Sequence, residues 1–383
     1  MNKALYGHMR SGRLFWEHIS SKLRAMGFKS NPEDNCVMNK IINGKQCTVV
    51  LHVDDLKISH VDKKAIEWTI GQLEKEYGKL ETQEGTVLEY LGLELDYSRE
   101  GVVMIGATEY IKKAINAYGD DLLHRAKTPA TDDLFQINDD SPKLEEPERR
   151  KFHSTFALCL WIGMMARPDI LVALSFLGKR TTKASKEDEK KLLRLLSYLK
   201  ATIEKRLTLG ADEMKVIKWW ADSSFAVHHD MKSHSGLFGT LGRGAIFARS
   251  SGQKINTISS TEAEIVASSE VLSQLLWTTS FLRHQGYAVH NAILHQDNQA
   301  AILMQENGVL SRRRKSRHID IKFFFVKDRI GRGEVEIVHC GTEKMTADFL
   351  TKPLQGERFR THRAQILGLK GDEAKECVGN QPQ

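Results

Sequence analysis

The sequence predicts a multidomain protein of mixed α+β and α/β class. Its 383 residues are enough for two or three domains that each bury a core. Up to residue 97, helical periodicity alternates with strand-like runs, which is typical of an α+β fold. From residue 213 onward, the predicted order is three strands, a helix, a strand, a helical region, a strand and a helix. That order favours a five-stranded mixed sheet with packed helices.

The first segment contains two strand-like runs followed by a helix. The runs lie at 36–42 and 47–53, and the helical pattern covers 63–77. Between the second run and the helix stands VVLHVDDLKIS, in which Asp54 and Asp55 are adjacent carboxylates between apolar residues. Two acids in a strand pattern are costly unless a positive group meets them, so we expect the pair to have a positive partner.

The middle of the chain is mainly helical. A hairpin-like segment around Gly101 leads to a helix near 108–118, and the acid-rich stretch 128–148 is predicted to be an exposed connection. Between 150 and 205 the pattern is helical, and one set of leucines is spaced to form a single buried stripe. These are Leu192, Leu195, Leu196 and Leu199.

The last segment has the clearest succession of elements. VIKWWADSS reads as a strand, GLFGTLGRGAIFARS as two more, and SSTEAEIVASSEVLSQLLWTTSFLRHQGY as a long helix closed by Gly286. AILHQDNQ is then a strand, HIDIKFFFVKDRIG a helix, EVEIVHC a strand and TEKMTADFLTK a final helix. The tail after about 356 carries little signal.

Four acids fall at element ends in this segment. They are Asp222 at the end of the first strand, Glu262 at the start of the long helix, Asp297 at the end of the fourth strand and Asp348 in the final helix. Acids that converge repel one another, so such a cluster is normally stable around divalent cations, typically Mg²⁺ or Mn²⁺. Two such ions are the usual machinery for cutting or making phosphodiesters.

Each acid also has a structural alternative. Thr261 and Glu264 (T-E-A-E) fit a capping box, which would make Glu264 structural and leave Glu262 to face the site. A single aspartate at a strand end is most often a turn or cap residue. Four acids in this order of elements favour the metal site.

Composition restricts the partners. Lys and Arg outnumber Asp and Glu by 56 to 49, and the pI near 9.0 favours a polyanionic partner without naming one. Five scattered cysteines without a C-x-x-C pair argue against a disulfide framework and for a reducing compartment. The most apolar run, 156–166, is too short to span a bilayer, so no membrane partner is expected.

Several stretches resemble the ribonuclease H domain of copia-type retrotransposon polyproteins. They are KWWADSSFAVHHDMKSHSG, SSTEAEIVAS, HQDNQAAI, RKSRHIDIKFFFVKD and TADFLTKPL. The resemblance implies an RNase H fold that hydrolyses RNA in an RNA–DNA hybrid. It also implies that the metal-binding carboxylates are Asp222, Glu262, Asp297 and Asp348.

The N-terminal part resembles the reverse transcriptase of the same polyproteins. KALYGHMRSGRLFW is similar to a palm segment of that family, and LHVDDLKI to its Y-V-D-D hairpin, with His52 in place of the usual Tyr. The resemblance implies that Asp54 and Asp55 are metal ligands of a polymerase that binds a primer–template. The family has a further Asp on an earlier strand, and no acid here fits that position. The acids upstream of the pair are Glu17, Glu33 and Asp34.

A basic run precedes the helix HIDIKFFFVKD. It consists of Arg312, Arg313, Arg314, Lys315 and Arg317, followed by His318. Clustered guanidiniums suit phosphate binding, and hybrids are held mostly through backbone contacts. A solvated loop or a localisation signal would have the same composition.

The resemblance implies four segments. These are a partial palm (1–97), a thumb and connection (98–212), an RNase H-like domain (213–355) and a tail (356–383). We expect an intracellular protein of the cytoplasm, retroelement particles or nucleus, with a complete hydrolase site and an incomplete polymerase site. The sequence leaves open a truncated relic or a gene model begun at an internal Met. The alternative function is a catalytically inactive nucleic-acid-binding remnant; a transposase-type or integrase-type nuclease is disfavoured because those sites lack the Glu at the helix start.

Overall fold

The computed structural model describes residues 10–119, 126–307 and 317–371, without the side chains of 307 and 317–320. The chain forms two compact units, one from residues 1–91 with 277–288 and the other from 92–276 with 289–383. Helices and sheets occur in both units, and the predicted mixed class is confirmed. The division into four segments stays a prediction. Among the described helices, none is both long and apolar enough to cross a membrane.

The first unit contains an antiparallel sheet and two helices. The helices are α1 (Ser11–Ala25) and α2 (Lys63–Tyr77), and the sheet has β1 (Lys29–Ser30), β2 (Val37–Ile42), β3 (Lys45–His52) and β4 (Asp55–Ser59) in that order. A further strand, β5, covers Val87–Tyr90. Asp62 caps α2 by accepting a hydrogen bond from the Lys64 amide at 3.0 Å. Alternate residues of β3 are buried with α1 and α2 in one core, which fixes the face that each strand presents.

The second unit begins with a sheet followed by helices. Its elements are β6 (Leu93–Asp96), β7 (Val102–Gly106), α3 (Thr108–Asn116), α4 (Glu146–Met165), α5 (Leu171–Gly178), α6 (Lys186–Ala201) and β8 (Leu207–Ala211). Strand β7 pairs antiparallel with both β6 and β8. The predicted leucine stripe on α6 is buried in the main core of the unit, as expected.

A second sheet lies in the C-terminal half of this unit. The elements of this half are β9 (Val216–Ser224), β10 (His234–Thr240), β12 (Phe247–Gly252), α7 (Ser260–His284), β13 (Asn291–Gln296), α8 (Gln299–Asn307), α9 (Arg317–Gly331) and β14 (Glu336–His339). The end of α7, from residue 277, belongs to the first unit. The strand order is β12-β10-β9-β13-β14, with β13 parallel to both neighbours and the other pairs antiparallel. The short β11 (Gly242–Arg243) pairs with β8 instead. The predicted five-stranded mixed sheet is therefore confirmed.

The chain after β14 differs from the prediction. In place of a last α-helix there are two short 3₁₀ turns, Thr342–Lys344 and Thr346–Leu350. The segment predicted to carry little signal begins with α10 (Gly356–Leu367), which ends at Gly368 in the left-handed region (φ +66°). Phe359 and Ile366 of α10 are buried in the main core. Tertiary packing therefore stabilises a helix that the polar sequence GERFRTHRAQIL does not indicate.

Candidate active site

The parallel pairing of β9 and β13 brings two predicted site residues to one edge of the sheet. Trp220 is paired with His295 in this ladder, and the two rings stack with centroids 4.6 Å apart. Asp222 stands two residues after Trp220, near the end of β9, and Asp297 follows β13 directly, two residues after His295. Because side chains alternate along a strand, Asp222 lies on the same face of the sheet as Trp220. Both carboxylates thus lie at the carboxyl end of neighbouring parallel strands.

Glu264 of α7 completes a cluster with these two acids. One carboxylate oxygen from each of Asp222, Glu264 and Asp297 lies within 4.8 Å of the others. Glu264 is buried; its Oε1 accepts hydrogen bonds from the Ser223 amide (3.2 Å) and hydroxyl (2.8 Å), and its Oε2 accepts one from Gln296 Nε2 (3.1 Å). These donors fix the carboxylate between the ends of β9 and β13.

The structure places Glu264, and not Glu262 as predicted, beside Asp222 and Asp297. Glu262 is the capping residue: its amide donates to Ser259 Oγ at 3.2 Å, and its Oε2 accepts from the Ile258 amide at 2.8 Å. The helix starts two residues earlier than the predicted T-E-A-E box requires. Glu262 and Glu264 are two residues apart, which is about 200° around an α-helix, so their side chains point to nearly opposite sides of α7. Glu264 therefore faces the sheet, and Glu262 points away from the cluster.

Asp348 lies beside the cluster but is engaged by cations. Its carboxylate is fully buried and accepts from Lys352 Nζ at 2.5 Å and from Arg358 Nη2 at 2.7 Å. Asp348 is part of a 3₁₀ turn, and not of the predicted α-helix, so its side chain has a different direction from the predicted one. Lys352 Nζ also lies 3.9 Å from Asp222 Oδ2, so Asp348 and Asp222 share this ammonium group, while both oxygens of Asp348 have basic partners. The role of Asp348 as a metal ligand stays a prediction.

A glycine allows this 3₁₀ turn to approach the sheet. Gly236 of β10 is paired with Asp222, and a Cβ built on it would lie 2.6 Å from the carbonyl oxygen of Ala347. Any other residue would push the turn away from the strand. The close approach also lets the Thr351 hydroxyl donate a hydrogen bond to Asp222 Oδ2.

Burial and mutual repulsion shift the titration of the clustered acids. Burial raises the pKa of Asp222 to about 7; Lys352 opposes this shift, while Asp348 and Asp297 add to it. Burial also raises the pKa of Glu264, with Asp222 adding to it, and the pKa of Asp297 is raised chiefly by its partial burial. Three carboxylates whose ionisation is disfavoured fit a hard divalent cation, because its charge would offset their repulsion and its preferred ligands are oxygens.

In metal-free protein, the contribution of Asp222 to the free energy of unfolding is expected to fall as the pH rises from 3.8, the ordinary pKa of an aspartate, to about 7. The raised pKa means that folded Asp222 keeps its proton in this range while the unfolded chain releases it, so ionisation at higher pH disfavours the fold. Saturating Mg²⁺ should raise the melting temperature by a margin that grows across the same range. Thermal melts with EDTA or Mg²⁺ at stepped pH measure both effects, and Asp222→Asn should flatten both profiles. A rise in melting temperature with Mg²⁺ that is the same at every pH would contradict the raised pKa of Asp222.

The acid pair of the first unit is displayed on a hairpin. Strands β3 and β4 pair His52 with Asp55, and Val53 at the turn has φ +49°, a left-handed conformation that is uncommon for a β-branched residue. Asp54 and Asp55 are exposed at this turn. Across the described ranges, no third Asp, Glu, His or Cys joins them in a cluster of ligand atoms. The predicted hairpin is present, and the expected incompleteness of the polymerase site stays a prediction.

Most of the predicted basic run lies outside the described residues. This applies to Arg312, Arg313, Arg314 and Lys315. Arg317 and His318 begin α9, but their side chains are not described. Their role in binding nucleic acid is therefore still a prediction.

Comparison with known proteins gives matches along nearly the whole chain. Residues 1–130 match a family model described as reverse transcriptase (RNA-dependent DNA polymerase). The Retrovirus-related Pol polyprotein from transposon TNT 1-94 of Nicotiana tabacum is 24% identical over 376 residues, which cover 96% of this chain and 28% of that protein. The polyprotein from transposon RE1 of Arabidopsis thaliana is 26% identical over 374 residues, covering 96% of this chain and 25% of the relative. The chain thus spans about a quarter of the length of these relatives.

A solved structure shares the fold. The foamy viral protease-reverse transcriptase in complex with an RNA/DNA hybrid superposes with a TM-score of 0.51 at 11% identity, over 89% of this chain and 39% of that one. At this identity, the likeness concerns the fold alone.

Proposed function

We propose that this chain cleaves the RNA strand of an RNA–DNA hybrid by hydrolysis. The predicted resemblance to copia-type retrotransposon Pol polyproteins is confirmed along 96% of the chain and supports this proposal. The observation that carries the proposal is the cluster of Asp222, Glu264 and Asp297 at the carboxyl ends of β9 and β13. An intracellular location, as expected from the sequence, is part of the same proposal.

The three carboxylates would hold a Mg²⁺ or Mn²⁺ ion through their oxygens. When bound, such ions activate water and stabilise the leaving oxygen in phosphodiester cleavage. Three donors keep the Glu264 carboxylate oriented before any ion arrives: the backbone amide and hydroxyl of Ser223 and the side-chain amide of Gln296. Little reorganisation of Glu264 is therefore needed when an ion binds. The mechanism predicted from the sequence uses two ions, and Asp348, which shares Lys352 with Asp222, is a further carboxylate that could contribute to the second.

The test is an assay with matched nucleic acids. The metal-loaded protein is incubated with an RNA–DNA hybrid, a DNA duplex and an RNA duplex of one sequence, each labelled on either strand. We expect cleavage of the RNA strand of the hybrid alone, and its loss with Asp222→Asn. Salt-sensitive binding of the hybrid without cleavage would favour the inactive binding remnant. Cleavage of the DNA duplex would favour a transposase-type nuclease.

The basic run is expected to hold the hybrid backbone. Replacing Arg312, Arg313, Arg314 and Lys315 by serine should weaken hybrid binding at least about tenfold and reduce the salt slope by about 0.7–0.9 for each phosphate that is no longer neutralised. Fluorescence anisotropy at several salt concentrations measures both quantities. A control removes four exposed cations elsewhere: Lys112, Arg150, Lys190 and Lys63. An equal effect in the control would mean that net charge, and not this run, governs binding.

A second candidate function is RNA-directed DNA polymerisation, favoured by the exposed acid pair on the β3–β4 hairpin. Polymerase chemistry needs a further carboxylate to complete its metal site, so we expect this chain by itself not to extend a primer. Primer extension on an RNA template with Mg²⁺ or Mn²⁺ measures this, with an Asp54→Asn, Asp55→Asn variant as background. Extension above that background would show that a third ligand is supplied from outside the described residues.

A further inference from the structure

Lys352 bridges two of the acids at the candidate site. Its ammonium nitrogen lies 2.5 Å from Asp348 Oδ1 and 3.9 Å from Asp222 Oδ2. The side chain is 41% exposed, whereas the two carboxylates are buried. Lys352 therefore reaches the acids from the solvent side and can move out without disturbing the core.

Arg358 occupies the other side of Asp348. Its Nη2 lies 2.7 Å from Asp348 Oδ2, so the two oxygens of this carboxylate face different cations. If Lys352 moved away, Arg358 would still pair with Asp348, and the buried carboxylate would keep one charged partner.

The formal charges divide the acids into two groups. Asp222, Glu264 and Asp297 form the cluster. Among the described residues, Lys352 is the cation that comes within 4 Å of this cluster, at Asp222 Oδ2. Asp348 has two cations in contact. With all four acids ionised, two side-chain cations leave a charge of −2, which one divalent ion would neutralise. A second ion would add charge next to Lys352 and be repelled by it.

We propose that Lys352 is a positioning residue that competes with the second divalent cation. The first ion binds Asp222, Glu264 and Asp297 with Lys352 in place, and a second ion gains access to Asp348 and Asp222 only when the ammonium group leaves. This inference rests on the proposed metal-dependent function and adds the order in which the ions bind. The first ion binds tightly, and the second binds weakly because of Lys352.

The experiment is a Mn²⁺ titration of the full chain without nucleic acid, in which the paramagnetic resonance of free Mn²⁺ reports the number and affinity of bound ions. The wild type should bind one ion tightly and a second at least about tenfold more weakly, because the ammonium group of Lys352 at Asp348 repels the second ion. Lys352→Met, which keeps the length of the side chain without its charge, should tighten the second ion about tenfold or more. It should tighten the first ion less, because Lys352 Nζ lies 2.5 Å from Asp348 Oδ1 but 3.9 Å from Asp222 Oδ2.

Lys218→Met is the matched control. Lys218 also lies beside a carboxylate, Asp212, at 2.7 Å and is 40% exposed, but it belongs to an ion pair outside the cluster. It should leave both affinities unchanged. In the Lys352→Met background, Asp348→Asn should abolish the tightened second site.

Three results would overturn the proposal. They are two ions of equal affinity in the wild type, an unchanged second affinity in Lys352→Met, and loss of the first ion in that variant, since the last would make Lys352 a structural part of the cluster. Because the titration contains no substrate, the order of ion loading can fail while hybrid cleavage is present, and the reverse also holds.

Discussion

Glu264→Gln is expected to lower the rate of hybrid cleavage by at least about a hundredfold, while Glu262→Gln should leave it within about twofold. Loss of an outer-shell partner of a metal ligand typically costs 10–100-fold, and Glu264 is proposed as a ligand itself. Its oxygens are held between Ser223 and Gln296, facing Asp222 and Asp297. Glu262 instead caps α7 at the Ile258 amide, a contact whose removal affects helix stability by about 1 kcal/mol.

The pair of variants separates the structural assignment from the one predicted by sequence. Both changes remove one charge within the same helical turn, so they are matched in size and position. Single-turnover cleavage at saturating Mg²⁺ gives the rate, and a thermal melt of each variant checks that the fold is retained. A large reduction with Glu262→Gln and a small one with Glu264→Gln would favour the assignment predicted by sequence.

The sequence did not decide between these glutamates because S-S-T-E-A-E contains two capping boxes in different registers. Ser259 with Glu262 and Thr261 with Glu264 have the same spacing and the same chemistry. The start of the helix chooses between them, and helix ends are the least predictable part of an element. The strand-end acids Asp222 and Asp297 were predictable, because parallel neighbours place their carboxyl ends together whatever the precise boundary.

Contacts between distant parts of the chain were not predictable from local pattern. Thr351 meets Asp222 across 129 positions, and Lys352 and Arg358 meet Asp348 only because a 3₁₀ turn replaces the expected helix. The clearest available signal was composition: two cations follow Asp348 within ten residues, in a segment whose acid is itself a candidate ligand. Periodicity assigns faces to an element but does not give the partner that lies across a sheet.

Asp169→Asn is expected to destabilise the second unit by about 3–5 kcal/mol, because it removes the charge that pairs with a buried arginine. Arg167 donates two hydrogen bonds to the Asp169 carboxylate, at 2.9 and 2.8 Å, and both side chains are at most 1% exposed. Tyr198 of α6 donates to the same carboxylate at 2.5 Å. Burial raises the pKa of Asp169, but Arg167 and the hydrogen bonds outweigh that effect and lower it overall. Urea unfolding followed by tryptophan fluorescence measures the change.

The network joins three helical elements, which is why its disruption should cost more than that of an ordinary ion pair. Arg167 also donates to the Thr202 carbonyl at 2.9 Å, so the turn between α4 and α5 is fixed to the end of α6. Glu148→Gln breaks the exposed pair with Lys186 and should cost less than about 1 kcal/mol. Replacing both partners, Arg167→Met with Asp169→Leu, should be less harmful than Asp169→Asn alone, because Arg167 is then not left buried without the carboxylate that it pairs with. If Asp169→Asn proved as mild as Glu148→Gln, water would have to reach Arg167, and the burial that defines this network would be refuted.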